Sequence, residues 1–89
     1  MDQPVGVSHI IEKIYDDNLD LFMRCGAIVV GNQETGKQIT AAFTDAMYRQ
    51  VRLHITYNNR FSMFCFHCNG ELQRTGEISE ILEFFRMFF

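Results

Sequence analysis

The stretch from 51 to 67, VRLHITYNNRFSMFCFH, decides the fold. Val51, Leu53, Ile55 and Tyr57 alternate with Arg52, His54 and Thr56, so a strand built here places apolar side chains on one face and polar ones on the other. The residues NNR at 58–60 break the pattern with turn chemistry, and an aromatic-rich run from Phe61 to His67 follows. Two runs joined in this way read as an antiparallel hairpin.

Downstream, Asn69-Gly70 is a two-residue turn signal, and Glu71 to Arg74 adds a short edge strand. Thr75 or Ser79 then starts a helix on which Ile78, Ile81, Leu82, Phe85 and Phe89 form one stripe. Upstream, Ala27 to Val30 is a short apolar run bounded by Gly26 and Gly31, which reads as a buried strand. The segment 38–50 is ambiguous: Ile39, Ala42, Phe43, Ala46, Met47 and Val51 suit a helix, whereas Ile39, Ala41 and Phe43 alternate as a strand does. The strand reading is adopted because Gly36 offers the left-handed residue of a hairpin loop and Thr44-Asp45 can turn the chain again; the helix stands as the alternative. Ahead of these, Ile11, Ile14, Tyr15 and Phe22 recur at helical spacing between Ser8, a candidate cap, and Arg24, and Gly26 sits where helices stop. The expected architecture is a single α+β domain over 1–89, with an N-terminal helix, an antiparallel meander of about four strands and a C-terminal helix.

A chain of 89 residues is near the lower limit at which one core outweighs conformational entropy. Here 47% of residues are hydrophobic, nine of them Phe, so a packed core is available and disorder is not expected. A net charge of −3 gives no general attraction to polyphosphate, which disfavours direct nucleic-acid binding. The N-terminal residues lack the basic and apolar regions of a signal peptide, and no apolar run reaches the roughly 18 residues of a membrane span. Three Cys, an odd number, do not make a disulfide framework and fit a reducing compartment. Together these features predict a cytoplasmic protein.

The run AIVVGNQETGKQ at 27–38 contains the G-x-x-x-x-G-K core of a phosphate-cradling loop in Gly31, Gly36 and Lys37. Over roughly twenty residues it resembles the first strand and loop of dynamin-like and other P-loop NTPases. The resemblance implies loop amides around phosphates, a lysine on the terminal phosphates and a hydroxyl on magnesium. Gln38 stands where that hydroxyl belongs, no later strand ends in a magnesium-holding Asp, and the chain is too short for the parallel NTPase sheet. The glycines are therefore read as hairpin punctuation and Lys37 as a solvated charge. Likewise DDNLD at 16–20 is similar to the D-D-x-x-D of prenyl-diphosphate enzymes, but those are large helical bundles around a cavity that this chain cannot enclose. What the spacing does supply is Glu12, Asp16 and Asp20 at i, i+4 and i+8, an acidic stripe on the face of a helix opposite its apolar side.

CFHCNG at 65–70 carries the C-x-x-C spacing of a zinc knuckle followed by a tight turn, and resembles the second knuckle of zinc ribbons. Cys65 and Cys68 make only half a tetrahedral site, so zinc would need Cys25, His54 or His67 as further donors, or a second chain. The competing reading makes Cys65 a small core residue. The three Cys and three His show no local signature of a nucleophile and base, and His54 is expected at the surface beside Arg52 and Thr56.

The helix ending in ILEFFRMFF carries more apolar surface than one stripe can bury: Phe84, Met87 and Phe88 lie beyond it. The sequence thus offers surfaces rather than a catalytic constellation and no required cofactor. It predicts a small, non-enzymatic protein-binding module, of the inhibitor or adaptor type that phages and mobile elements direct against host or defence machinery. Glu12, Asp16 and Asp20 are offered to a basic or nucleic-acid-binding protein, and Phe84, Met87 and Phe88 to a target or a homodimer mate. The alternative is a zinc-knuckle-like module or small metal-dependent enzyme using Cys65 and Cys68.

Overall fold

Apolar residues recur at helical spacing near both ends of the chain and in alternation between them, and the tertiary structure follows that division. A computed structural model describes residues 5–32 and 36–89. Helices α1 (Val5–Asp17) and α2 (Leu19–Arg24) lead into strands β1 (Ile28–Asn32), β2 (Gly36–Thr44), β3 (Gln50–Asn58), β4 (Met63–Cys68) and β5 (Glu71–Gly76), and α3 (Ile78–Arg86) follows. The five strands form one antiparallel sheet in sequential order, β1 and β5 at its edges. The class is the expected α+β; the sheet has five strands where about four were anticipated, because both flanking runs, 28–32 and 71–76, join the ladder along their length.

The segment 38–50 resolves as strand and turn. Gly36 takes a positive φ of 84°, the left-handed geometry that a residue with a Cβ adopts only at a cost, and delivers the chain into β2 opposite β1. The loop expected at 33–35 lies outside the described residues. At the far end of β2, the Asp45 carboxylate accepts from the Met47 and Arg49 amides at 2.9 Å each, closing the turn into β3. In the next hairpin the Asn58 side chain accepts from the Arg60 amide at 2.9 Å, so the turn extends through Ser62, and β4 starts at Met63, not Phe61.

The first helix is not continuous as the spacing suggested, and it starts earlier: Ser8 lies inside α1 and does not cap it. At Asn18 the backbone leaves helical geometry, with φ −125° and ψ 34°, while its side-chain amide donates to the Ile14 carbonyl at 3.0 Å. The Asn18 backbone amide donates to the same carbonyl at 3.2 Å, so side chain and backbone share one acceptor at the break. The break re-aims α2 so that Phe22 is fully buried. At the other end α3 begins at Ile78 after Glu77 in extended geometry, rather than at Thr75 or Ser79.

All three helices lie on one side of the sheet. Strand register puts Ile39 and Ala41 of β2, Val51, Leu53 and Ile55 of β3, and Phe66 of β4 on that side, where they are buried with Ile11, Phe22, Ala27, Ile81, Leu82 and Phe85. Helix α1 packs over β1 to β3 and α3 over β4 and β5. Phe66 meets Phe85 edge-on at 6.2 Å, and Phe85 meets Phe22 at 5.5 Å, joining sheet, α3 and α2. Phe66→Ala should therefore cost about 3–5 kcal/mol in urea unfolding. That is a large part of the roughly 5–15 kcal/mol total of a domain this small, whereas Thr75→Ala on the exposed edge should shift stability by less than about 0.5 kcal/mol.

Candidate interaction surface

Helical geometry does not stop at the end of α3. The amides of Met87, Phe88 and Phe89 donate to carbonyls three residues back, at 3.0–3.2 Å, so the last turn tightens. This winding sends Phe88 against Phe66 at 5.8 Å and places Phe89 against Phe85 at 5.1 Å and Phe43 at 4.8 Å. The outer parts of these rings remain in solvent: Phe89 is 54% exposed, Phe88 37% and Met87 78%. Beside them a cleft with an apolar floor of Phe43, Val51, Cys68 and Phe88 is walled by Asp45 and Arg49 of the β2–β3 turn. That turn also presents Met47, 70% exposed, and Tyr48, 89% exposed and held at φ 63°. A bulky residue at positive φ is uncommon, and here it projects an aromatic ring into water.

Of the three residues anticipated on this surface, Met87 and Phe88 are exposed and Phe84 is half-buried. Arg74 covers it: the guanidinium lies 5.0 Å from the Phe84 ring centroid and 3.4 Å from the Glu80 carboxylate. Phe89, read from the sequence as part of the core stripe, instead belongs to the surface, and Met47 and Tyr48 were missed. The φ of Tyr48 has no counterpart in the pattern of apolar residues, so no sequence signal pointed to it.

The three acidic residues are divided between two helices, although Asp16 and Asp20 line one shallow cleft together with Arg24 and Arg86. Glu12 and Asp16 lie exposed on α1, but Asp20 lies on α2, beyond the break at Asn18. Glu12 is paired with Lys37, whose cation lowers the Glu12 pKa. Lys37 is accordingly half-buried and engaged, and not the solvated charge expected of it. The glycines around it do what the hairpin reading required: Gly31 pairs with Lys37 and the chain continues as an antiparallel strand, without the helix that a phosphate loop needs.

Cys65 and Cys68 both fall on β4, three residues apart. An odd separation on a strand sends side chains to opposite faces, so Cys68 packs beside the core under the helices and Cys65 points to the uncovered face. One ion cannot be reached by both without rebuilding β4. Among the described residues no group of three or more His, Cys, Asp or Glu side chains is placed to hold a metal ion. The third thiol, Cys25, has its pKa raised by burial and remains protonated at neutral pH.

On the uncovered face His54 of β3 lies directly opposite His67 of β4, with Thr40 across on β2 and Arg52 and Thr56 along β3. His54 is half-buried rather than fully at the surface, and its Nδ1 is buried without a hydrogen-bond partner among the described residues. Burial lowers its pKa, and the positive potential of His67 and Arg52 lowers it further. Comparison with protein families, with curated proteins and with solved structures finds no match. No described helix is long and apolar enough to cross a membrane.

The folded state holds His54 neutral at pH values where the unfolded chain protonates it. Its contribution to stability is therefore complete above about pH 6.5 and is lost as pH falls from there through the lowered folded-state value. Thermal melts of wild type and His54→Gln between pH 8 and 5 (on the order of the His titration range) should converge toward acid, the wild type losing more. Parallel curves would remove the assignment.

Proposed function

We propose that the protein is a small binding module that acts by protein–protein contact through the end formed by the last turn of α3 and the β2–β3 turn. The observation that carries this reading is the exposure of Met87, Phe88 and Phe89 on a rigid aromatic base. The rings of Phe88 and Phe89 are anchored on Phe66, Phe85 and Phe43, so their ordering is established before a partner arrives. Preordered aromatic anchors lose little entropy on binding, and aromatic residues and Met are enriched where interfaces concentrate their energy. The adjoining cleft accepts an apolar side chain, while Asp45 and Arg49, paired with each other at 2.9 Å, form a polar rim.

The protein's overall negative charge, with Asp16 and Asp20 exposed, supports a partner that is itself basic, approached under electrostatic attraction. A cytoplasmic inhibitor or adaptor, of the kind phages and mobile elements direct against nucleic-acid-binding machinery, is the role that this size and charge fit best. A second copy is the other occupant the aromatic end would suit. Affinity capture with purified variants tests the assignment. Met87→Glu changes an exposed residue and should leave unfolding free energy within about 0.5 kcal/mol of wild type, yet weaken partner capture at least about tenfold, or about 1.4 kcal/mol. Unchanged capture by both Met87→Glu and Tyr48→Glu would place the interface elsewhere. In light scattering, a wild-type dimer that Met87→Glu converts to monomer would identify the occupant as a second copy.

A further inference from the structure

The two edges of the sheet differ in a way that the aromatic end does not explain. Strand β5, at one edge, exposes Leu72 at 56% but is protected by charge and shape: it carries Glu71 and Arg74, and its register with β4 shifts between Phe66 and His67, the bulge-like irregularity that discourages further pairing. Strand β1, at the other edge, has the sequence IVVGN. It has no charge, no proline and no register shift, and among the described residues its only partner strand is β2. Ile28 is 57% exposed on the side of the sheet away from the helices. Such an edge is a template for another strand unless something occupies it.

The helix side of the same edge is shaped and charged. Val29, Gly31 and Lys37 floor a cleft whose wall is Glu12, Tyr15 and Asp16 of α1. Tyr15 is fixed there, its hydroxyl donating to the Ala27 carbonyl at 2.8 Å and its ring stacked on Phe22 at 5.4 Å. A Cβ built on Gly31 meets nothing within 4 Å, so the cleft is open above the strand. Lys37 is engaged by Glu12, whereas Asp16 has no ion-pair partner among the described residues, so the cleft presents a net negative charge.

We infer that β1 receives an extended segment of a partner protein as a sixth strand, with aliphatic side chains against Ile28 and Val30 on one face and alternate Lys or Arg side chains directed into the cleft toward Asp16. The backbone ladder supplies affinity and the alternate side chains supply selectivity, which is how strand addition works generally. Charge decides between occupants. A second copy pairing through β1 would bring its own acidic cleft to the joint, whereas a basic strand neutralises this one. The inference extends the protein-binding reading to a second surface and stands or falls separately from the aromatic end.

Four synthetic octapeptides test it against the isotope-labelled protein by amide chemical-shift titration: alternating Val and Lys, alternating Val and Glu, and two forms of the Val/Lys peptide N-methylated at every second residue, one in each frame. The Val/Lys peptide should shift the amides of residues 28–32 and of 12–16 saturably. Affinity should fall with added salt and at least about fivefold in Asp16→Asn, an exposed position whose change leaves the fold intact. One N-methylation frame should abolish binding and the other preserve it, because only every second amide of an added strand faces the edge. Met87→Glu, at the exposed aromatic end, should leave this titration unchanged, which separates the two surfaces. The inference is overturned by any of four results: no saturable shift up to about 1 mM peptide, shifts centred on β5 or α3, equal binding of the Val/Glu peptide, or dimeric protein whose β1 amides are already protected from exchange without peptide.

Discussion

The contact of Phe66 with Phe85 is the joint on which the two layers depend. Phe66 stands fully buried on β4, Phe85 fills the matching position on α3, and Phe22 completes the edge-on chain from the side of α2. Aromatic pairs in this geometry contribute about 0.5–1.5 kcal/mol each beyond the area they bury. More important is their placement, because a meander of five strands has one apolar face and cannot keep it in water. Helices α1 and α3 each cover part of that face, and the aromatic chain ties α3 to α2 and, through the Tyr15–Phe22 stack, to α1.

One-sided cover has consequences for what remains outside. The opposite face of the sheet, both edge strands and the last turn of α3 all lie where the two-layer packing runs out, and each manages exposure differently. The uncovered face carries Thr40, Thr56, Cys65 and a facing pair of histidines, which water and partial burial accommodate. Edge β5 is charged and irregular. The aromatic end and β1 leave apolar side chains exposed without the charges and the register shift that accompany Leu72 on β5. Apolar side chains also stand singly in solvent elsewhere, at Met23, Phe61 and Leu72, which is ordinary for a folded domain; the aromatic end, where several are contiguous, and the open edge β1 carry the functional reading.

Much of the architecture was legible because alternation and helical spacing are local. The 51–67 hairpin, the left-handed Gly36 and the turn at Asp45 follow from residues within a few positions of one another. The ambiguity over 38–50 was resolved by pairing: β2 lies between β1 and β3, and Ile39 and Ala41 meet Ile55 and Leu53 in register. The break at Asn18 was not legible, because Ile11, Ile14, Tyr15 and Phe22 keep helical spacing across it. An Asn within a helix is ordinary, and what re-aims α2 is the burial gained by Phe22, a tertiary quantity. The candidate sites fared unevenly for the same reason. Met87 and Phe88 could be identified as surplus from one stripe, but the cover of Phe84 by Arg74 joins residues ten apart in sequence on two elements.

Lys37 and the pair Cys65 and Cys68 show where the boundary lies. From sequence alone, the glycines around Lys37 mark a turn, and the cysteines lie in an aromatic strand next to an Asn-Gly turn. Both statements concern backbone conformation, which short-range sterics and turn chemistry determine. Whether Lys37 is free or held depends on which helix crosses the hairpin, and Glu12 is 25 residues away. Whether two cysteines converge depends on strand parity once the strand exists. The sequence by itself therefore determined the order of helix and strand segments outside 38–50, the turns between them and the apolar face of each. Only the tertiary structure decided which charges are paired, which aromatic rings stay in solvent and which edge stays open, because those follow from contacts between residues distant along the chain.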